Sequence, residues 1–252
     1  MARDDTLARS CGPGEGVVRF YQWALPTLSF GRNEPAVDHY PDEASLRAQG
    51  YDVVRRPTGG RAVLHHRELT YSVVAPIAAF DSLKAAYRAI NAGLVEGLAT
   101  LGVPVKSAPP APALPPDAGP CFQAPAEGEV MMQGRKLVGS AQVRIGETLL
   151  QHGSILIDDD QHLLDALRAE QEAPIPETIP AMGRLNPNRP AKLRDVLDPM
   201  PDVETLILAV ESGFRTSLPG DWRTDFDGGS LPSSTLAERL AHYRAAEWTW
   251  RR

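Results

Sequence analysis

Cysteines and long apolar runs are scarce in this chain of 252 residues. The two cysteines, Cys11 and Cys121, are far apart and form no CxxC pair, which favours free thiols over a disulfide. No apolar run approaches the ~20 residues that a membrane-spanning helix needs, and the first residues have no apolar core of a signal peptide. We therefore expect a cytoplasmic protein without a membrane partner.

Generic metal and nucleotide motifs are missing as well. Cys121, His65, His66 and His152 carry side chains that bind zinc, but none has the spacing of a zinc motif. There is no GxxxxGK[ST] loop, and no GxGxxG pattern follows a predicted strand. The sequence therefore predicts neither a bound metal nor a cofactor.

The overall charge is mildly acidic, with a formal net charge of −6 and no long run of lysine or arginine. This composition argues against a nucleic-acid partner. An apolar fraction of 42% and a charged fraction of 23% are ordinary for a soluble globular protein. The length is sufficient for one large domain with a buried core, so we predict a single domain over residues 1–252 and a monomer.

Hydrophobic periodicity predicts a mixture of strands and helices. Strand patterns occupy residues 17–23, 27–32, 51–58, 62–66, 69–75, 129–133, 136–144 and 148–157. The first two are joined by a turn containing Pro26, and the last three have the pattern of a meander. Because the strands and helices do not alternate regularly, an α+β fold with a mixed β-sheet flanked by helices is favoured over a doubly wound fold.

Helical spacing is clearest between Leu83 and Leu101, where Asp81 or Ser82 is a candidate N-cap. Further apolar helix faces occur at residues 163–167 and 203–214. A last helix is predicted from Thr235, with Thr235 and Glu238 as a capping box. Residues 107–120, SAPPAPALPPDAGP, predict an irregular loop, since proline lacks an amide donor and fixes φ. Such a loop would lie beside an active site or act as a surface linker.

The most informative segment is RRPTGGRAVLHH, from Arg55 to His66. Its glycine pair lets a ligand approach the backbone closely and exposes amide groups to an anion or a carbonyl oxygen. On its own the segment predicts only a binding loop. Two later segments, GRKLVGSAQ at residues 134–142 and LQHGSIL at residues 150–156, add a lysine, small residues and a further histidine.

Together, these three segments resemble the lipoate–protein ligase and octanoyltransferase family of the biotin and lipoate ligase superfamily. Residues 18–23 with 26–31 are similar to an early hairpin of the family, and the end of the chain, from Glu247, resembles its C-terminal tail. The resemblance covers residues 1–252 and is weakest at residues 103–120 and 170–235. It implies the family's fold, a mixed sheet flanked by helices.

Cys121 points to one branch of that family. It stands in GPCFQAP, and the branch that transfers octanoyl groups through a single cysteine has Cys-Phe-x-Ala-Pro at this place. A lysine near a thiol stabilises its thiolate, and a thiolate exchanges thioesters without ATP. The resemblance assigns the role of nucleophile to Cys121. Without it, a small buried apolar residue would be the default interpretation.

Lys136 is the second predicted catalytic residue, because a fixed ammonium stabilises both a thiolate and an oxyanion. The predicted substrate-binding residues are Arg56, Thr58, Gly59, Gly60, Arg61, His65, Gly139, Ser140, Gln142, His152 and Gly153. For Arg56 an ion pair within the sheet is an alternative, and for His152 a place in the core. His66 occupies a position where many relatives carry aspartate, which leaves any role of that acid open here.

The resemblance implies that Cys121 takes an octanoyl group from acyl carrier protein. It then passes the group to a lysine of a lipoyl domain, either glycine-cleavage H protein or a dehydrogenase E2 subunit. The alternative is an ATP-dependent lipoate–protein ligase, which needs no such cysteine and often carries an accessory C-terminal domain; biotin ligation is a weaker variant.

A non-catalytic relative is a third interpretation. It is favoured by His66, which stands in place of the usual acid, and by the N-terminus. Residues 1–8 resemble the family's first helix, so either the start of the chain is misassigned or the sheet has lost the edge strand that precedes this helix in the family.

Overall fold

Two β-sheets and seven α-helices form the described part of the protein. The computed structural model describes residues 1–109, 127–168, 189–224 and 231–251. Cys121 and residues 110–120 of the predicted Pro-rich loop therefore lie outside the described residues. Among the described residues, no helix is both long and apolar enough to cross a membrane.

The helices are α1 (Ala2–Ser10), α2 (Glu43–Ala48), α3 (Leu83–Thr100), α4 (Leu163–Leu167), α5 (Val203–Ser217), α6 (Ser233–Arg244) and α7 (Ala246–Thr249). The strands are β1 (Val17–Tyr21), β2 (Thr27–Phe30), β3 (Asp52–Arg55), β4 (Val63–His65), β5 (Glu68–Pro76), β6 (Val105–Ser107), β7 (Val130–Met132), β8 (Arg135–Ile145) and β9 (Thr148–Leu156).

The large sheet has six strands in the order β1-β5-β9-β8-β7-β6, and each neighbouring pair is antiparallel. The small sheet has the order β3-β2-β4, in which β2 runs parallel to β3 and antiparallel to β4. The mixed pairing is thus confined to the small sheet. The α+β fold predicted from the sequence is confirmed, and so is the β7-β8-β9 meander.

The main core lies where α3 and α5 pack against the large sheet. It contains Ile90 and Leu94 of α3, Phe214 of α5, and Tyr71 and Val138 of the sheet. The two helices approach closely through glycines. A Cβ atom on Gly213 would lie 2.1 Å from the carbonyl oxygen of Gly93, so a side chain there would push the helices apart.

The N-terminus of α3 follows the sequence prediction. The Ser82 hydroxyl accepts a hydrogen bond from the backbone amide of Ala85, at 3.1 Å, as an N-cap does. The capping box predicted for the last helix is wrong. Helix α6 already begins at Ser233, and its N-cap residue, Pro232, has no side-chain donor or acceptor, which leaves Thr235 and Glu238 inside the helix.

The predicted hairpin of the first two strands is also wrong. β1 pairs with β5 in the large sheet, whereas β2 pairs with β3 and β4 in the small sheet. The connection therefore crosses between sheets, and the carbonyl of Pro26 accepts a hydrogen bond from Asp52, at 2.8 Å, at the start of β3. Adjacency in sequence suggested a pair, but distant strands satisfy the backbone groups of β2.

Candidate functional site

A cavity that is partly open to solvent lies between the two sheets; the empty space in it, counted together with the open solvent at its mouth, is about 410 Å³. Strand β4 of the small sheet closes one side, and β1, β5, β8 and β9 of the large sheet close the other. The lining residues are Met1, Tyr21, Arg56, Val63, His65, Thr70, Gly139, Ser140, Ala141, His152, Gly153 and Ser154. The structure thus brings the three segments singled out in the sequence to one place.

Six of the predicted site residues line this cavity, namely Arg56, His65, Gly139, Ser140, His152 and Gly153. Thr58 contacts it indirectly, through His152. Gly59, Gly60, Arg61, Gln142 and Lys136 are not among the lining residues. Cys121 lies outside the described residues.

Gly153 is required by the pairing of the strands. It lies opposite Tyr71 on β5 and opposite Ser140 on β8. A Cβ atom at this position would lie 2.4 Å from the carbonyl oxygen of Gly139 and 2.7 Å from Cε1 of Tyr71. Glycine therefore allows the Tyr71 ring to lie directly over β9.

A buried polar network connects this part of the sheet to α3. The Tyr71 hydroxyl lies 2.7 Å from Oγ of Ser140 and accepts a hydrogen bond from Nε2 of Gln151 at 3.0 Å. Gln151 also donates to Oδ1 of Asn91 at 3.2 Å, and Nδ2 of Asn91 donates to the carbonyl of Gly128. Burial raises the pKa of Tyr71 to about 12, so the phenol stays protonated at neutral pH.

His152 is a buried, neutral imidazole. Its Nε2 lies 2.7 Å from Oγ1 of Thr58, which ties β9 to the segment that follows β3. Burial lowers the pKa of His152 to about 3, and the charge of Arg56 lowers it further, while nearby Asp4 acts in the opposite direction. His152 can therefore offer a hydrogen bond in the cavity but no charge at neutral pH.

His65 belongs to a second buried cluster. Its Nδ1 lies 2.8 Å from Oε1 of Glu68 and 3.1 Å from Oγ of Ser154. The ring of Trp23 stacks on the imidazole with centroids 4.4 Å apart, and Trp23 also donates to Thr70. In the described part of the chain, Nε2 of His65 has no hydrogen-bond partner. The contacts at Nδ1 and the stacked ring fix the imidazole in one orientation at the cavity.

Arg56 holds the loop that contains Gly59 and Gly60 by hydrogen bonds to backbone carbonyls. Its buried guanidinium donates to the carbonyls of Ser29 at 2.9 Å, Gly59 at 3.0 Å and Arg61 at 2.6 Å. Backbone carbonyls thus accept these three hydrogen bonds. Gly59 and Gly60 themselves are exposed. Gly60 has φ of +90°. Its carbonyl oxygen lies close to Gly31, and a Cβ atom on Gly31 would be 1.7 Å from that oxygen.

Lys136 is buried on β8, three residues before Gly139. Its ammonium donates to Oε1 of Glu129 at 2.6 Å, and both side chains are almost entirely excluded from solvent. Its carbonyl accepts a hydrogen bond from the amide of Ala191. Further along β8, Nε2 of Gln142 donates weakly to Gln151 at 3.4 Å. Glu129 was not predicted from the sequence, although an acidic residue next to an apolar strand was a usable signal for a buried partner of the lysine.

His66 lies at the surface, with Nδ1 3.1 Å from Oδ2 of Asp160. Asp160 also pairs with Arg67. A carboxylate is thus present beside position 66, although it is supplied by the segment that follows β9. Over residues 1–109, 127–168, 189–224 and 231–251, no group of three or more His, Cys, Asp or Glu side chains is arranged to hold a metal ion.

Comparison with known proteins places this geometry in a family. The catalytic domain described as lipoyl protein ligase A/B matches residues 1–215. Octanoyltransferase LipM of Kyrpidia tusciae is 37% identical over 267 aligned positions, which cover 100% of this chain and 94% of that protein. Octanoyltransferase LipM of Lysinibacillus sphaericus is 36% identical, and the match covers 98% of this chain and 89% of that protein.

Among solved structures, a putative lipoate protein ligase from T. acidophilum with bound lipoic acid has the same fold. Its TM-score is 0.75 at 22% identity, and the match covers 99% of this chain and 91% of that one. The likeness to this structure concerns the fold alone, whereas the family match and the LipM relatives extend over most or all of the sequence. The chain belongs to the lipoyl protein ligase A/B catalytic-domain family.

Proposed function

We propose that this chain is an octanoyltransferase of lipoate biosynthesis. It moves an octanoyl group from acyl carrier protein to a lysine of a lipoyl domain, and it acts as a single domain over residues 1–252 and as a monomer. One observation carries the proposal: three distant segments converge on one cavity, in a chain similar over its whole length to proteins named octanoyltransferase.

The cavity suits an aliphatic chain that is held by its shape. Val63, Ala141 and the backbone at Gly139 and Gly153 offer apolar walls, and His152 is neutral. Burial of the apolar tail of an octanoyl group, at ~0.8 kcal/mol per CH₂, contributes several kcal/mol, which is enough to discriminate between chain lengths.

In the proposed reaction, the Cys121 thiolate attacks the carbonyl carbon of the octanoyl thioester. The carbon–sulfur bond to the carrier breaks, and the carrier leaves as a thiolate that takes a proton from solvent. The neutral ε-amine of the acceptor lysine then attacks the octanoyl-Cys121 thioester. An amide bond forms and Cys121 is released as a thiolate, while the proton lost by the amine goes to solvent. The first step exchanges one thioester for another of similar energy, and the second forms a more stable amide, so neither step needs ATP.

Lys136 supplies the fixed positive charge in this scheme. An ammonium stabilises the thiolate before attack and the oxyanion that develops on the carbonyl. The buried hydrogen bond to Glu129 holds the ammonium in one position on β8, and the carboxylate offsets a part of its charge. The acceptor would be a lipoyl domain of glycine-cleavage H protein or of a dehydrogenase E2 subunit.

Acyl-enzyme formation tests the proposal directly. The chain is incubated with octanoyl acyl carrier protein and examined by intact mass, and the modified residue is located by peptide mapping. We expect one octanoyl group on Cys121, no adduct in Cys121→Ala, and an unchanged adduct in Cys11→Ala. Cys11 is a matched control, because burial and nearby Glu15 raise its pKa and make it a weaker nucleophile.

The ligase alternative has a distinct signature. With free lipoate, ATP and magnesium, a ligase releases AMP and modifies the lipoyl domain without a cysteine. AMP release together with full activity in Cys121→Ala would replace the transferase proposal by the ligase. Transfer from octanoyl carrier protein without AMP supports the transferase.

A further inference from the structure

Arginines are concentrated around the Gly59–Gly60 loop. Three segments, residues 31–34, 55–61 and 249–251, carry Arg32, Arg55, Arg56, Arg61 and Arg251. Glu34 is the single carboxylate in these segments, although the chain as a whole has a net charge of −6. A local excess of positive charge in an acidic protein attracts an anionic partner to that place.

Arg55 is the buried centre that assembles the three segments. Its guanidinium donates to the carbonyl of Gly31 at 2.6 Å, of Glu34 at 2.8 Å, and of Thr249 at 3.0 Å. The indole of Trp248 in turn donates to the carbonyl of Arg55 at 2.9 Å. The C-terminal segment is thereby fixed against the loop that follows β2.

This arrangement presents Arg32 and Arg251 side by side, and we call this pair the arginine rim. Arg251 lies over the ring of Trp248 at 4.7 Å, and its Nε donates to the carbonyl of Arg32 at 3.0 Å. The amide of Arg32 donates to the carbonyl of Thr58 at 2.8 Å, which places the rim directly beside the glycine loop.

The rim keeps donors available for a ligand. The Arg32 side chain is exposed and forms no ion pair with any described residue. Nη1 of Arg251 makes no hydrogen bond within the part of the chain that is described. Nearby carboxylates are engaged elsewhere: Glu34 accepts from the amide of Gly31, and Glu43 pairs with Arg47 and the Trp250 indole. Glu247 on α7 is exposed and remains as a partial counter-charge.

We propose that the arginine rim receives the carrier of the acyl donor by its phosphate group. This inference rests on the proposed function, since the acyl group of acyl carrier protein is attached through a phosphodiester-linked arm. Guanidinium groups bind phosphate oxygens in a bidentate geometry. The carrier's arm offers such a phosphate, whereas the acceptor lysine offers an amine and no anion. The rim lies beside the glycine loop, so an arm held there by its phosphate extends toward the cavity.

Binding of the carrier without its acyl group provides the test. Fluorescence anisotropy compares labelled carrier protein with and without the phosphate-containing arm. For Arg32→Ala and for Arg251→Ala we expect affinity for the arm-bearing carrier to fall about threefold each, and on the order of tenfold for the double variant. Arg32→Lys should recover only a part of the affinity lost in Arg32→Ala, because an ammonium keeps the charge but not the bidentate geometry.

Arg144→Ala is the matched control. This arginine is similarly exposed, and it lies at the β8–β9 turn, where it pairs with Glu147. It should leave the affinity unchanged. The proposal is overturned if the double variant binds the arm-bearing carrier as tightly as the wild type does. It is also overturned if Arg144→Ala lowers the affinity for the carrier equally, or if the rim substitutions lower only the affinity for the lipoyl domain.

The two proposals fail in different ways. If carrier binding depends on the rim but the wild-type chain never gains an octanoyl group, the transferase proposal is refuted and the proposal for the arginine rim stands. Normal octanoylation of Cys121 with unchanged carrier affinity in the double variant refutes the rim and retains the transferase. Because the Arg32 side chain makes no ion pair with any residue that the structure describes, loss of affinity in Arg32→Ala cannot be attributed to a disturbed C-terminus.

Discussion

The Lys136 ammonium lies 2.6 Å from Oε1 of Glu129, and only 2% and 6% of the two side chains are exposed. Removal of both charges from water is costly, and their attraction in a low-dielectric interior offsets that cost only while both are present. The pair therefore behaves as a unit. It fixes the ammonium together with its counter-charge on the strand that continues to Gly139 at the cavity.

Glu129→Gln should destabilise the protein by about 3–5 kcal/mol, because it leaves the Lys136 ammonium buried without its carboxylate. Urea denaturation at pH 7 measures the change. Glu127→Gln is the control: Glu127 pairs with Lys84, whose side chain is 63% exposed, and should cost less than ~1 kcal/mol. A double variant, Glu129→Leu with Lys136→Met, should cost less than the two single changes added together. Equal costs for Glu129→Gln and Glu127→Gln would contradict this account.

His152 should make stability fall in acid. Burial lowers its pKa to about 3, while the unfolded chain protonates at the ordinary value near 6.5. Between these two values the unfolded state binds the extra proton. The stabilising contribution is therefore complete above pH ~6.5 and is lost as the pH falls toward 3, by up to about 1.4 kcal/mol per pH unit.

The measurement compares urea denaturation of wild type and His152→Gln at pH 7, 6, 5 and 4. Glutamine can still bond Thr58, but it does not titrate, so the wild type should lose more stability than the variant as the pH falls. Parallel curves over this range would show that the imidazole is not buried as a neutral group.

Two glycines of the predicted site should respond differently to alanine. In Gly153→Ala the new methyl would lie 2.4 Å from the Gly139 carbonyl, so we expect a loss of more than ~2 kcal/mol of stability. In Gly59→Ala nothing lies within 4 Å of the new Cβ atom, and the stability should change by less than ~1 kcal/mol.

Thermal unfolding and octanoyl transfer, measured on the same two variants, separate folding from function. If substrate approaches the backbone at Gly59, Gly59→Ala will fold normally and transfer slowly. A stable, fully active Gly153→Ala would contradict the close packing of Tyr71 on β9.

Local patterns in the sequence were sufficient for the elements whose signals are local. Helix α3 has a regular apolar face and a serine cap, and the meander has turn residues between alternating strands. The pairing of β2 was not accessible in this way, because its partners lie at residues 52–55 and 63–65 and the pattern of a strand does not specify its neighbour.

The site shows the same division. The three segments that line the cavity were identified by composition and family resemblance, but their partners were not. Glu129, Glu68 and Asn91 act through contacts across the sheet or from a helix, and none belongs to the three segments. Arg55 was not among the predicted site residues, although its neighbour Arg56 was. Only the structure separates it, since it holds the C-terminus while Arg56 holds the glycine loop.

Arg55 is the residue on which the position of the C-terminus should depend most. Burial lowers its pKa to about 10, as does the nearby charge of Arg251, so it remains charged at pH 7. Arg55→Met removes donors from carbonyls of Gly31, Glu34 and Thr249 at once. We expect a loss of more than ~3 kcal/mol, because buried carbonyls are left without partners.

Arg55→Lys should recover only a part of this loss, since one ammonium cannot reach carbonyls on both segments. Arg47→Met serves as the comparison: Arg47 is 56% exposed and pairs with Glu43 and Asp52, and its loss should cost less than ~1 kcal/mol. Hydrogen exchange gives a second reading, because release of the C-terminus should deprotect the Trp250 amide, which bonds to Ala246 within the tail. Unchanged protection there in Arg55→Met would mean that packing of Trp250 against Phe30, rather than the guanidinium, holds the tail.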